Sequence, residues 1–168
     1  VESLDEGPVY EVSEVEISDS DNRISLEKKL VAKAKLNIVD VIQKISNGLQ
    51  PVPQVDNNVS YCRKITKEDG RINFEETAKE IFNKYRAFSG WPGTYFQYKD
   101  TTIKIHGMRI IDLDNNDTPG TIFDVTKDGI HIGVDDSVIV ITHIQLPGKK
   151  IINSSDIYNS YKDFFVKI

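Results

Sequence analysis

Between Thr94 and Ile144, short runs of β-branched and aromatic residues follow one another with turn residues between them. This spacing constrains the fold more than any other feature of the chain. The runs are Thr94–Tyr98, Thr102–Ile111, Thr121–Val125, Ile130–Val134 and Val138–Ile144. Lys99-Asp100, Asn115 to Gly120, Lys127 to Gly129 and Asp135-Asp136 separate them, and Asp128-Gly129 is a hairpin signal. Each run has the length of a short strand. Five of them in about 50 residues predict a small β-barrel of the oligonucleotide-binding type, within an α+β fold.

Helical patterns flank the strands. Leu26, Leu30, Ala34, Ile38, Val41, Ile42 and Ile45 recur on one helical face, and Ser25 is the expected N-cap of a helix running to about Asn47. Gly48 stands where a helix commonly ends. Phe74, Ala78, Ile81, Phe82, Tyr85 and Phe88 form a second stripe, with Asn73 as the expected cap and Glu76 as its capping-box partner. A last helix is expected from Ser154 or Ser155 to about Phe165. Near the start, Val9 to Ile17 alternates apolar and acidic residues, which predicts a half-buried strand. The proline- and asparagine-rich run Leu49 to Ser60 reads as a linker. The expected organisation is therefore 1–48 as a remnant of a preceding domain, 49–60 as linker and 61–168 as the barrel domain.

Charge narrows the partners. The net charge is −5, and residues 1–59 carry all of it, because residues 60–168 hold equal numbers of acidic and basic side chains. A general polyanion binder is usually basic overall, so any nucleic-acid contact must come from local patches. The single cysteine, Cys62, excludes an internal disulfide and reads as an unreactive thiol of a reducing, cytoplasmic compartment. No apolar run approaches the roughly 20 residues of a membrane helix. Asp112 to Asn116 imitates the start of a calcium loop, but Asp117 stands where glycine is needed and Phe123 where the bidentate glutamate belongs. Gly148-Lys149-Lys150 lacks the first glycine and the hydroxyl residue of a P-loop. His106, His131 and His143 have no ligand-spaced partners and read as structural, so no metal is expected.

The run from Arg63 to Gly93 carries a family resemblance. Lys64, Ile65, Lys67, Glu68, Asp69, Gly70, Ile72, Asn73 and Phe74, followed by Arg86, Ala87, Phe88, Trp91 and Pro92, resemble the C-terminal domain of the methionyl-tRNA formyltransferases. Pro119-Gly120-Thr121-Ile122, Ile144-Gln145, Gly148-Lys149-Lys150 and Ser155-Asp156 match further family elements in order. Leu4-Asp5-Glu6-Gly7-Pro8 resembles an element near the end of that family's catalytic domain. Two departures are mild: Phe74 where tryptophan is frequent, and Ser89-Gly90 where Asn-Pro is usual.

The resemblance implies an enzyme that transfers a formyl group from 10-formyltetrahydrofolate to the amino group of methionyl initiator tRNA. It implies a catalytic Asn, His and Asp, of which only the last maps here, to Asp5. The chain is then expected to be the closing portion of the enzyme, a strand and helix left from a Rossmann-like domain plus the barrel, inactive by itself and with no cofactor bound. Its implied partners are initiator methionyl-tRNA and the N-terminal catalytic domain, with no membrane and a monomeric state. Arg63, Lys64, Lys67, Arg71, Arg86, Lys149 and Lys150 are the candidate tRNA contacts. Two other readings stay open: a sugar-nucleotide amine N-formyltransferase, and a stand-alone oligonucleotide-binding module.

Overall fold

The computed structural model describes residues 4–55, 59–113 and 118–165. The chain divides into two compact units, Val1–Lys64 and Ile65–Ile168. Residues 56–58 of the expected linker, and 114–117 of the calcium-like run and the following turn, lie outside the described residues.

The first unit is organised around α1 (Arg23–Ser46). Its N-cap is Asn22 and not Ser25: the Asn22 side chain accepts from the backbone of Ile24 and Ser25, and the Ser25 hydroxyl accepts from the Asn22 amide in return. Asn22 wins because Ser25 completes this reciprocal box from inside the first turn. Asp21, buried beside it, accepts from the Ser18 amide, the Ser25 hydroxyl and Lys29. The expected strand from Val9 to Ile17 does not form. Its only ladder contact is the bridge Val9–Val52, and its side chains are instead tied to α1: Glu11 to Lys44 and Ser13 to Asn37. A strand needs a neighbour, and none of the described residues of this unit supplies more than one bridge. The apolar stripe of α1 is not buried either; no residue of the helix is, and Leu36 is 79% exposed.

The second unit is a six-stranded antiparallel sheet with two helices on it. The strands are β1 (Thr94–Tyr98), β2 (Thr101–Ile111), β3 (Ile122–Thr126), β4 (Gly129–Val134), β5 (Ser137–Gln145) and β6 (Ile151–Asn153). Their order is β1-β2-β5-β4-β3, and β6 pairs with the last three residues of β5. The sheet is not closed into a full barrel: β1 and β3 end the order and share no ladder among the described residues. The register of β2 on β5 shifts around Gly107. A β-carbon at Gly107 would fall 2.3 Å from the Thr142 hydroxyl and 2.6 Å from His143 Nδ1, so any larger residue there requires these side chains to shift. Such a bulge bends a long strand and lets the sheet curl.

Helix α2 (Ala78–Ala87) and helix α3 (Ser154–Phe165) cover the inner face. Ile81, Ile103, Ile130, Ile132, Ile139, Ile141, Ile144 and Ile157 are fully buried there. At roughly 1.5–3 kcal/mol per buried aliphatic side chain, this layer supplies most of the unit's stability. The α2 cap also departs from expectation. Thr77, not Asn73, is the N-cap, with Glu80 as its partner, and Asp136 from the β4–β5 turn accepts from the Ala78 amide at 2.8 Å. Asn73 forms a local turn with Glu75, and Glu76 pairs with Lys84. No described helix is long and apolar enough to cross a membrane.

Candidate nucleic-acid interface

The outer face of the sheet is built by strand alternation. On β2, Ile103 and Ile105 point inward and are buried, so Thr102, Lys104 and His106 point outward and are exposed. The register then sets a row across four strands: Tyr95 opposite Lys104, Lys104 opposite Gln145, Gln145 opposite Ile151. Arg71 extends the row through its parallel bridge to Tyr95, fixed by the Ile72 amide donating to the Tyr95 carbonyl at 2.8 Å. At about 4.8 Å per step the row spans roughly 20 Å. The Gln145 amide donates to the Lys149 carbonyl at 2.9 Å, which holds the Lys149-Lys150 turn against the end of the row.

The sequence-predicted cations are therefore only partly brought together. Arg71, Lys149 and Lys150 lie along or beside this row, and all three are exposed. Lys67 stands exposed at the start of the single 3₁₀ turn Glu68–Gly70. Arg86 is half-buried, and its Nε donates to Asn83 at 2.9 Å along α2. Arg63 and Lys64 are exposed but belong to the first unit, as does Asp5. Asp5 occupies a turn at φ 59°, and the Gln54 amide donates to the carbonyls of Asp5 and Gly7. Lys104 was missed by the sequence reading. It lies mid-row and makes no side-chain hydrogen bond or ion pair among the described residues.

Two clefts adjoin Lys104. One, of about 210 Å³, lies between the end of α2 and β1–β2; Tyr85, Phe88, Gly93, Thr94, Lys104 and His106 are among its walls. The other, of about 200 Å³, is lined by Thr102, Lys104, Gln145, Leu146, Pro147 and Gly148. Neither is lined by a carboxylate. Burial pushes the Tyr85 phenol up, so it stays neutral, and it donates to the His106 carbonyl at 3.2 Å. The three histidines are locally hydrogen-bonded: His106 to Gln145, His131 to Thr126 and His143 to Thr142. Among the described residues no cluster of three metal-binding side chains occurs. Cys62 is exposed.

Two groups of known proteins are similar to this chain. The family model for the formyl transferase C-terminal domain matches residues 64–162. Methionyl-tRNA formyltransferase from Sulfurihydrogenibium sp. is 35% identical over 164 residues, covering 96% of this chain and 53% of that protein. The Francisella philomiragia and Caldicellulosiruptor saccharolyticus proteins of the same name are 37% and 36% identical, over 93% and 96% of this chain. The chain thus spans about half the length of these relatives. Among solved structures, a HypX variant from Aquifex aeolicus superposes with a TM-score of 0.67 at 18% identity, covering 99% of this chain and 30% of that one. HypX in complex with tetrahydrofolic acid superposes at 0.64 and 17% identity, covering 100% of this chain and 29% of that one. These two likenesses establish a shared fold.

Proposed function

The chain belongs to the formyl transferase C-terminal domain family, and from that premise we propose that it is the closing part of a methionyl-tRNA formyltransferase and helps to hold the tRNA. The observation that carries this reading is identity of 35–37% to proteins of that name across 93–96% of the chain. The parent enzyme would transfer a formyl group from 10-formyltetrahydrofolate to the amino group of methionyl initiator tRNA. In this reading the second unit supplies the tRNA surface, with Lys67, Arg71, Lys149 and Lys150 meeting the phosphate backbone. Arg63 and Lys64 add cations from the first unit, and Arg86 contributes least because its guanidinium is engaged on α2. Contacts of this kind position an RNA without reading its bases.

Asp5 is proposed as the carboxylate that orients a histidine of the catalytic domain. The attacking amine must lose a proton, and an imidazole held by a carboxylate takes it. The formyl donor is assigned no residue of this chain. The chain alone is accordingly expected to transfer no formyl group. The compartment follows as the cytoplasm, where translation starts.

The test is a salt titration. Initiator tRNA should bind the chain weakly, and four phosphate contacts should cost about 10²-fold in affinity between 50 and 200 mM salt. Salt-independent binding, or none at low salt, overturns the tRNA-holding role.

A further inference from the structure

Resting on that RNA-binding reading, we propose that the cleft between the end of α2 and strands β1–β2 takes one unpaired nucleotide of an RNA strand, the base entering beside Thr94 and the phosphate meeting Lys104. Three observations converge on this cleft. Thr94 lines it, is 3% exposed, and its hydroxyl is buried with no hydrogen-bond partner among the described residues. Buried hydroxyls are almost always bonded, so a base that pushes aside the atoms covering this one gains a bond that the cleft wall lacks. A hydroxyl both donates and accepts, which suits the mixed edge of a nucleobase.

The walls and the size agree with that choice. The rings of Tyr85 and Phe88 supply apolar surface for a flat group. Gly90 and Gly93, both at positive φ, put no side chain at the mouth. A volume of about 210 Å³ is below the roughly 300–1,000 Å³ of sites that engulf a whole organic ligand, and so admits one ring system of a longer molecule. That longer molecule has a path out. Lys104 belongs to both clefts and stands between them, unpaired among the described residues, and the row continues past Gln145 to Lys149 and Lys150. A phosphate backbone leaving the first cleft meets these cations in order. A duplex has no free base to insert, so the cleft distinguishes single strands from helices.

The test compares the chain's affinity for a short single-stranded RNA carrying one 2-aminopurine with its affinity for a blunt RNA duplex of the same sequence. The single strand is expected to bind more tightly, with its fluorophore quenched. Thr94→Val should weaken the single strand about fivefold and leave the duplex unchanged, while Thr94→Ser should restore binding. Lys104→Gln, at an exposed position, should abolish the quench and serves as the second variant if Thr94→Val does not fold. Lys149→Ala with Lys150→Ala should weaken both RNAs. If single strand and duplex bind equally and neither Thr94→Val nor Lys104→Gln changes the signal, the cleft proposal is overturned while the RNA reading stands. If neither RNA binds, both fall.

Discussion

Gly70 and Gly93 give a physical reason for two separated motifs to occur together. A β-carbon on Gly70 would lie 2.1 Å from the Gly93 carbonyl oxygen, so the 3₁₀ turn and the turn after α2 press backbone against backbone. Asp69 fixes the first turn by accepting from the amide and hydroxyl of Thr66 at 2.7 and 3.0 Å. Gly70→Ala is expected to cost about 1–3 kcal/mol, because the clash is with main chain and has no flexible end to yield. Thermal unfolding followed by circular dichroism should record a drop of several degrees. Gly148→Asn, in open space at φ 69°, should be close to neutral. A Gly70→Ala melt equal to the parent would refute the steric account. The same residues explain what could be read from the sequence. The motif from Lys64 to Pro92 was legible as a family pattern, within which Gly70 and Ile72 are buried, whereas Lys104 was not. A lone lysine in a strand looks like any solvated charge until the register puts it between Tyr95 and Gln145.

Helix termini were the least legible elements, and the reason is local competition. Asn73 and Ser25 are both good caps by residue type, but Thr77 and Asn22 each find a reciprocal partner one turn on, and Asp136 from the β4–β5 turn accepts from the Ala78 amide that follows Thr77. Strand β6 escaped because three residues after a lysine turn carry no period; only its pairing with β5 defines it. The caps also carry a pH dependence. Lys29, then the Ser18 amide and Ser25, hold the Asp21 carboxyl far below its ordinary value of 3.8. The Thr77 hydroxyl and amide, together with nearby Lys84, hold Glu80 below 4.5. A carboxyl lowered in the folded state stabilises fully above its ordinary pKa, and that stabilisation fades as pH falls through the folded value. Helical ellipticity at 222 nm should therefore hold from neutral pH to about pH 4.5 and decline below it. Asp21→Asn and Glu80→Gln should flatten that decline. An acid limb unchanged in the double variant would remove these caps as its cause.

The two units differ in what holds them together. In Ile65–Ile168 the described sheet and helices enclose a continuous apolar core, and Val138 through Ile141 of β5 are wholly buried between neighbouring strands. In Val1–Lys64 the only buried described residue is the carboxylate Asp21, and α1 exposes Leu30, Ile38, Ile42 and Ile45. The apolar period of α1 was read correctly as a helix, and periodicity reports a face without reporting what covers it. A helix of this length is held by its caps and its surface pairs, such as Lys44 with Asp40, and each exposed pair adds only about 0.3–0.5 kcal/mol. Isolated helices are marginal in water without a packed face. Amide exchange should divide the molecule accordingly. Leu26 to Ile45 should exchange through local opening, roughly 10³-fold faster than Val138 to Ile144, whose exchange requires global unfolding. Equal protection of the two segments in the 168-residue chain would mean that α1 is stabilised by burial of its apolar face after all. In the full-length protein the proposal that a catalytic domain precedes this chain requires the opposite result: slow exchange over α1, since a continuous apolar stripe becomes protected once a partner surface excludes water from it.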